Sequence, residues 1–320
     1  MSTFTSAHFR LHQLADGVFA TIHSEGGRAQ SNAGIVDLGD RVLIFDTFIA
    51  PEAANDLRSA VAALLSRPIA AVINSHYHND HIWGNQAFPN DVPIISTRKT
   101  RELITTLGAE EHTWFQAHSQ ERLSGLEAQL DQETDEASRR LTSYSIVYYR
   151  TILGVLPKLE IRLPNLTFAD QLEFFGPRRA AQLICYGGGH TGSDAILYLP
   201  VERIIFMADL LFVGTHAYWP DGDPDETRRT LSRIMQLPAA TLVPGHGPVG
   251  NASDVERMVR YLDRLEALVE EAMRKGMPEE EVAHIHMPDE YREWIFPTFF
   301  AANLKFLYQL RSRGRPPAST

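Results

Sequence analysis

The chain has 320 residues, 44% of them hydrophobic and 22% charged, a balance that belongs to globular rather than disordered protein. Thirty basic against forty acidic side chains give a formal net charge of −10, which speaks against a phosphate-binding nucleic-acid surface. Cys185 is the only cysteine, so no intrachain disulfide or multi-cysteine zinc site can form; with no basic, apolar leader and only short apolar runs, a cytoplasmic location is expected.

From residue 17 the chain alternates short apolar runs with turns. Residues 33–36 and 42–45 read as strands joined by Asp37-Leu38-Gly39-Asp40, and the second ends in Asp46-Thr47. Pro51 opens a helix with Ala54, Leu57, Val61, Leu64 and Leu65 on a 3.6-residue period, closed by Pro68. Residues 70–73 form a buried strand that runs into a histidine cluster, and 92–95 form another. Between 98 and 160 glycine becomes scarce and Glu, Gln and Arg abundant, which predicts two or three helices. Strands return from Leu166, at 182–186, 195–199, 203–207 and 241–243. A helix follows, opened by a Ser253/Glu256 capping box, with Val255, Met258, Val259, Leu262 and Leu265 as its apolar face; Gly276 to Pro278 stop it. The last ten residues read as a frayed end. The expected organisation is one domain over 1–320: a core of about 17–100 and 162–250, a helical insertion at about 101–161, and C-terminal helices at about 252–312.

Chemistry concentrates in His76-Tyr77-His78-Asn79-Asp80-His81, three imidazoles and a carboxylate on a turn after a buried strand. His76 and His78 alternate at the strand end and can share one ion; Asp80 and His81, on the next turn, can hold a second. Neutral imidazole and carboxylate are what zinc takes where no thiolate is offered. Three further segments follow in order. Gly187-Gly188-Gly189-His190-Thr191-Gly192-Ser193 sets a lone histidine in a glycine-rich turn between strands. Phe206-Met207-Ala208-Asp209 ends a strand in aspartate, and Pro244-Gly245-His246-Gly247-Pro248 holds a last histidine between glycines.

In this order the segments resemble the metallo-β-lactamase superfamily, whose pattern is His-x-His-x-Asp-His, a lone His in a Gly-His-Thr turn, a strand-end Asp or Cys, and a final His. The resemblance covers about residues 17–250. It implies an α/β fold, a four-layer αββα sandwich with a metal site along one edge of its two sheets. It implies two Zn2+ ions, with iron or manganese as the alternatives. His76, His78 and His190 would hold the first, Asp80, His81 and His246 the second, and Asp209 would bridge both together with a hydroxide. Asp46 would support the site without binding metal. Asp80, beside the second ion, would have the catalytic task of steadying the departing anion. Metal lowers the pKa of bound water to about 7, so the implied chemistry is hydrolysis of a small ester, lactone, thioester or amide. The alternatives are a mononuclear iron persulfide or thiol dioxygenase of the same fold and a non-catalytic binding domain; the complete ligand set counts against the latter.

Departures from subfamilies narrow the substrate. Asp209 stands where one type of penicillin-hydrolysing member carries cysteine, and His78 stands where flavodiiron reductases carry glutamate. Phe212 occupies the position of a tyrosine common in acyl-homoserine lactonases, with Tyr218 close downstream as a substitute. Residues 110–155 are expected to form a lid or wall over the metals, with Trp114, Phe115, Tyr144 and Tyr148 as apolar contributors and His216 and Tyr218 at the pocket. Trp294, Phe296, Phe299 and Phe300 read as core between tail and body, Cys185 as a buried small hydrophobe, and Ser193 as part of its turn. The expected partner is a small-molecule substrate, with no nucleic acid and no membrane; a homodimer is left open.

Overall fold

Strands β1 (Phe9–Ala15), β2 (Val18–His23), β3 (Ala33–Asp37) and β4 (Val42–Phe45) form an antiparallel meander in the computed structural model, which describes residues 4–313. Helix α1 (Pro51–Leu64) then carries the chain across to β5 (Ile69–Ile73), which pairs parallel with β4. Pro51 sits in the first turn, where its missing N–H costs nothing, and Ala53, Ala54, Leu57, Ala60 and Val61 make the buried stripe. Past the short helix α2 (Asn79–Ile82), β6 (Ile94–Thr97) joins parallel to β5. The insertion follows as α3 (Arg98–Thr105), α4 (Leu107–Gln132) and α5 (Glu136–Val155), capped by Thr97 and Asp135 at the starts of α3 and α5. Only Phe115, Ser119 and Leu123 are buried in α4, which explains its polar composition. The chain returns through β7 (Leu166–Phe168), the last strand of a seven-stranded sheet in sequential order.

The second sheet has five strands: β8 (Gln171–Phe175), β9 (Ala180–Cys185), β10 (Ala195–Leu199) and β11 (Ile204–Phe212) run antiparallel, and β12 (Thr241–His246) pairs parallel with β11. Helix α6 (Pro224–Ile234), capped by Asp223, bridges β11 and β12. Helices α7 (Ala252–Arg274), α8 (Glu279–Val282) and α9 (Thr298–Arg313) close the chain. The cap of α7 is an Asn251/Asp254 box, two residues earlier than the Ser253/Glu256 pair, because Asn251 Oδ1 reaches the Ser253 N–H while Asp254 accepts from the Asn251 N–H.

Period-two alternation builds the layers. Leu43 and Phe45 of β4 and Ile204, Phe206 and Ala208 of β11 face the core between the sheets, while Val42 and Ile44 face α1 and the insertion. Ile205 and Met207 face the outer layer of α6, α7 and α9. Gly34 lets the sheets close: a Cβ there would overlap the Phe206 ring. The result is the αββα sandwich, with a helical insertion on one face and a helical extension on the other. No helix among the described residues is long and apolar enough to cross a membrane.

Candidate metal centre

Seven side chains converge where β4, β5 and β12 end and where the β9–β10 turn folds over. They fall into two clusters, His76, His78, His190 and Asp209 in one and Asp80, His81 and His246 in the other, all buried or nearly so. Within the first, His76 Nε2 lies 3.2 Å and His190 Nε2 2.9 Å from His78 Nδ1. Asp209 reaches both clusters, with Oδ2 3.2 Å from His190 Nε2 and 3.3 Å from His246 Nε2, and Oδ1 3.0 Å from His81 Nε2. Asp80 Oδ2 stands 3.3 Å from His246 Nε2. Burial alone would raise the Asp209 carboxyl, but the imidazoles of His246, His81 and His190 hold it well below the usual carboxylate range.

Backbone strain aims these groups. Asp46 follows β4 at φ 61 and Ala208 precedes Asp209 at φ 45, both in the left-handed region that non-glycine residues avoid. The β11–β12 register slips at Ala208, so β11 does not stop at Asp209, as its sequence suggested, but bends there and runs on to Phe212. A Cβ on Gly245 would overlap Asp209 Oδ1, so glycine is the residue that lets this carboxylate lie against β12.

Hydrogen bonds from behind fix the rings. Asp46 Oδ2 lies 2.8 Å from His81 Nδ1 and accepts from Ser75 Oγ at 2.7 Å, and Ser75 Oγ stands 2.9 Å from His76 Nδ1. Asp46 therefore presents Nε2 of His81 directly and Nε2 of His76 through Ser75. Asp221 does the same for His78, with Oδ2 3.0 Å from Nε2, so that Nδ1 faces the cluster. Asn32 stitches the two sheets beside the site: its N–H donates to Gly245 O, and its amide donates to Pro244 O and Gly247 O.

The residues fit a metal pair. His81 Nε2 and Asp209 Oδ1 are buried, face each other, and neither has a hydrogen-bond partner. Orphaned buried polar atoms are costly, and a cation between them satisfies both at once. The donors are imidazole nitrogens and carboxylate oxygens, the set that suits zinc and also iron or manganese.

Of the residues expected around the metals, Tyr144 and Tyr148 on α5 lie close enough to Asp80 to feel its charge, which adds to burial in pushing both phenols up. Asn79 Nδ2 donates to Tyr148 Oη at 3.4 Å, and the Tyr218 ring stands edge-on to His78 at 6.3 Å. The structure does not bring the others to the clusters. Phe115 is buried against Trp83 and Tyr148, and Trp114, 38% exposed, stacks on His118 along the outer side of α4. His216 is fully buried among Tyr261, Trp294 and Phe300, with Nδ1 2.6 Å from Tyr261 Oη. Cys185 is only half-buried and donates to Gly187 O.

Four residues at the site carried no sequence signal. Asp221 sits in a Pro-Asp-Gly-Asp-Pro stretch that reads as a helix cap, the task its neighbour Asp223 performs. Glu111 of α4 lies near His78, Asp80 and Asp221; burial pushes its carboxyl up to about 8 against the pull of His78. His23 Nδ1 accepts from the Gln30 N–H, leaving Nε2 buried without a partner; burial, then His246, lowers its pKa to about 3. Phe296, read as core, reaches the site instead, its ring edge-on to His246 at 6.4 Å.

An αββα sandwich that gathers two clusters of imidazole and carboxylate donors at the edge of its sheets has, by class, the architecture of a metal-binding domain. Residues 26–246 match the family described as the Metallo-beta-lactamase superfamily, and the chain belongs to it. Among curated proteins it is similar to the 2,4-dinitroanisole O-demethylase subunit alpha of Nocardioides sp. (strain JS1661), 26% identical over 271 residues, covering 84% of this chain and 64% of that one. It is also similar to the linear primary-alkylsulfatase of Pseudomonas sp. (strain ATCC 19151), 23% identical over 277 residues, covering 79% of this chain and 49% of that one. The chain thus spans between about half and just under two thirds of the length of these relatives. Among solved structures, a metallo-beta-lactamase from Pontibacter korlensis superposes with a TM-score of 0.57 at 19% identity, covering 79% of this chain and 97% of that one. The metallo-beta-lactamase FIM-1 from Pseudomonas aeruginosa, in its mono-zinc form, gives 0.56 at 14% identity, covering 79% and 94%. These two likenesses concern the fold.

Proposed function

We propose that the protein is a dinuclear zinc hydrolase of a small ester, lactone, thioester or amide. The observation that carries this reading is Asp209, whose two oxygens lie within 3.0 and 3.3 Å of ring nitrogens in the second cluster while its Oδ2 also meets His190 of the first. His76 Nε2, His78 Nδ1 and His190 Nε2 would hold one ion, Asp80, His81 Nε2 and His246 Nε2 the other, and Asp209 both. A metal pair supplies, when bound, polarisation of the substrate oxygen and water activated at neutral pH. The chain's own residues do the rest. Asp46, Ser75 and Asp221 keep the imidazoles in the tautomers that aim inward. Asp80, with its side chain 12% exposed, is the most open ligand and the one placed to take up a proton for the departing group.

The curated relatives are named for O-demethylation of an aryl ether and for sulfate-ester cleavage, which favours small molecules other than β-lactams as substrates. Elemental analysis of the purified protein with assays on small esters and lactones tests the reading. Two zinc per chain and chelator-sensitive hydrolysis are expected. One iron per chain with thiol-dependent oxygen uptake would replace it by a dioxygenase.

A further inference from the structure

Among the seven clustered side chains, His78, Asp80 and His246 keep the most exposure, 10%, 12% and 11%. Aromatic rings stand around these three. Tyr218 is edge-on to His78 and Phe296 to His246, and Tyr144 and Tyr148 lie near enough to Asp80 to feel its charge. Phe296 joins the walls, lying 5.1 Å from Tyr144, 6.0 Å from Tyr148 and 5.1 Å from Phe299, which in turn meets Tyr218 at 5.0 Å. The rings form an arc beside these three side chains, the mouth of the site, built by α5, by Tyr218 in the loop after β11, and by Phe296 and Phe299 around the start of α9.

Phe296 is held there against its own backbone preference. It sits at φ 59, a conformation costly for an aromatic residue. The turn is enforced by its neighbour: Ile295 N–H donates to Gly214 O, and His216 N–H donates to Ile295 O. Strain of this kind gathers at functional sites and persists where the surroundings over-determine it.

Apart from the ligand histidines and the metals they would hold, the side-chain charges that pair at the mouth are acidic. Asp80, Asp209 and Asp221 form ion pairs only with histidines, and among the described residues no Lys or Arg pairs with them or with Glu111. A carboxylate, sulfate or phosphate on the end of a substrate away from the clusters would meet the rings and the Asp221 carboxylate, whose charge already reaches Tyr218.

We infer that the mouth selects uncharged substrates carrying an aromatic ring, seated against Phe296, Phe299 and Tyr218 with the scissile bond over the clusters. This rests on the hydrolase reading. For an ester the step is balanced by water alone: oxygen adds to the acyl carbon, the acyl–oxygen bond breaks, and the alkoxide leaves with a proton as the alcohol.

Three acetates with similar leaving groups separate ring, bulk and charge: benzyl acetate, cyclohexylmethyl acetate and 4-(acetoxymethyl)benzoate. On the zinc-loaded protein, kcat/KM for benzyl acetate should exceed that for the cyclohexyl ester about tenfold and that for the carboxylate about a hundredfold. Phe299→Leu should cut the first ratio about threefold, and so should Phe296→Leu, whose backbone strain makes Phe299→Leu the safer variant. Saturation-transfer NMR with the three corresponding alcohols reads the same preference without turnover, on metal-free and loaded protein. If no acetate is cleaved, the ester part of the hydrolase reading fails, while the alcohols still decide the mouth. Equal binding of cyclohexylmethanol or 4-(hydroxymethyl)benzoate, or a preference unmoved in both variants, would overturn the inference.

Discussion

His78 Nε2 and Asp221 Oδ2 stand 3.0 Å apart across 143 residues of sequence, and that contact decides which nitrogen of His78 faces the clusters. With Nε2–H given to Asp221, Nδ1 is left as the free lone pair. Burial pushes the Asp221 carboxyl up, but the hydrogen bond and charge of His78, together with Tyr77 and His190, hold it below the usual carboxylate range. Asp221→Ala removes the fixing group and should weaken binding of one ion by about tenfold to a hundredfold, leaving the other unchanged. Competition against a chromogenic chelator measures this as two separate constants; both constants at wild-type values would show that Asp221 does not set the tautomer.

Asp209 and Gly245 should fail in the same way. Asp209→Ala removes a carboxylate from between two imidazole sets, and Gly245→Ala drives a methyl group into Asp209 Oδ1. Each is expected to lower bound metal from two per chain toward one and to cut turnover by orders of magnitude, with the circular-dichroism spectrum retained. Gly125→Ala, in an open part of α4, is the control: nothing lies within 4 Å of its added Cβ. It should keep both ions and gain up to about 1 kcal/mol.

The end of the sandwich away from the metals depends on Arg179. Its guanidinium is buried, pairs with Glu202 at 2.6 Å, and donates to the backbone oxygens of Asp37 and Asp16 in the other sheet. Arg179→Ala strands the Glu202 carboxylate and two carbonyls, a loss of about 3–5 kcal/mol by urea denaturation. Turnover per folded molecule should hold, because β9 begins at this end and reaches the site only at its other end. A loss below about 1 kcal/mol would mean that water replaces the arginine.

His216 makes stability depend on pH. Burial lowers its pKa from an ordinary 6.5 to about 4. Between those values the unfolded chain takes the proton and the folded one does not, so stability falls as pH falls through that window and levels off below it. The full effect is on the order of 3 kcal/mol. His216→Leu cannot titrate, so its stability curve should run flatter from pH 6.5 to 4 than that of the parent in the same buffers. Parallel curves would place the acid sensitivity elsewhere.

The ligand residues could be read from sequence because each metal-facing group comes with local turn chemistry. A histidine among glycines, or an aspartate after five apolar residues, is out of place as core and so announces itself. The αββα layers could be read for a related reason, since β10 and β11 are apolar on both faces and little else buries both. What the sequence withheld is long-range. Asp221 and His23 gain meaning only from partners brought up by folding, and His216 and Trp114 lie close in sequence to site residues yet turn away from them. Phe296 and Phe299 share an apolar run with Trp294 and Phe300, and composition cannot tell which of the four faces the mouth. The φ of 59 at Phe296 makes that division.

All the rings at the mouth except Tyr218 are carried by stretches of chain other than those that carry the clusters. Every clustered side chain lies from His76 to His246 on strands, their immediate turns or the short helix α2, whereas Tyr144 and Tyr148 ride on an inserted helix and Phe296 and Phe299 follow the family-matched span 26–246. A lineage can therefore lengthen, trim or recolour either appendage without disturbing the coordination geometry. Changes of substrate range can then fall on residues that touch neither cluster. Chains that align well at the clusters can accordingly differ widely in what they accept, with the divergence concentrated in α5 and around the start of α9.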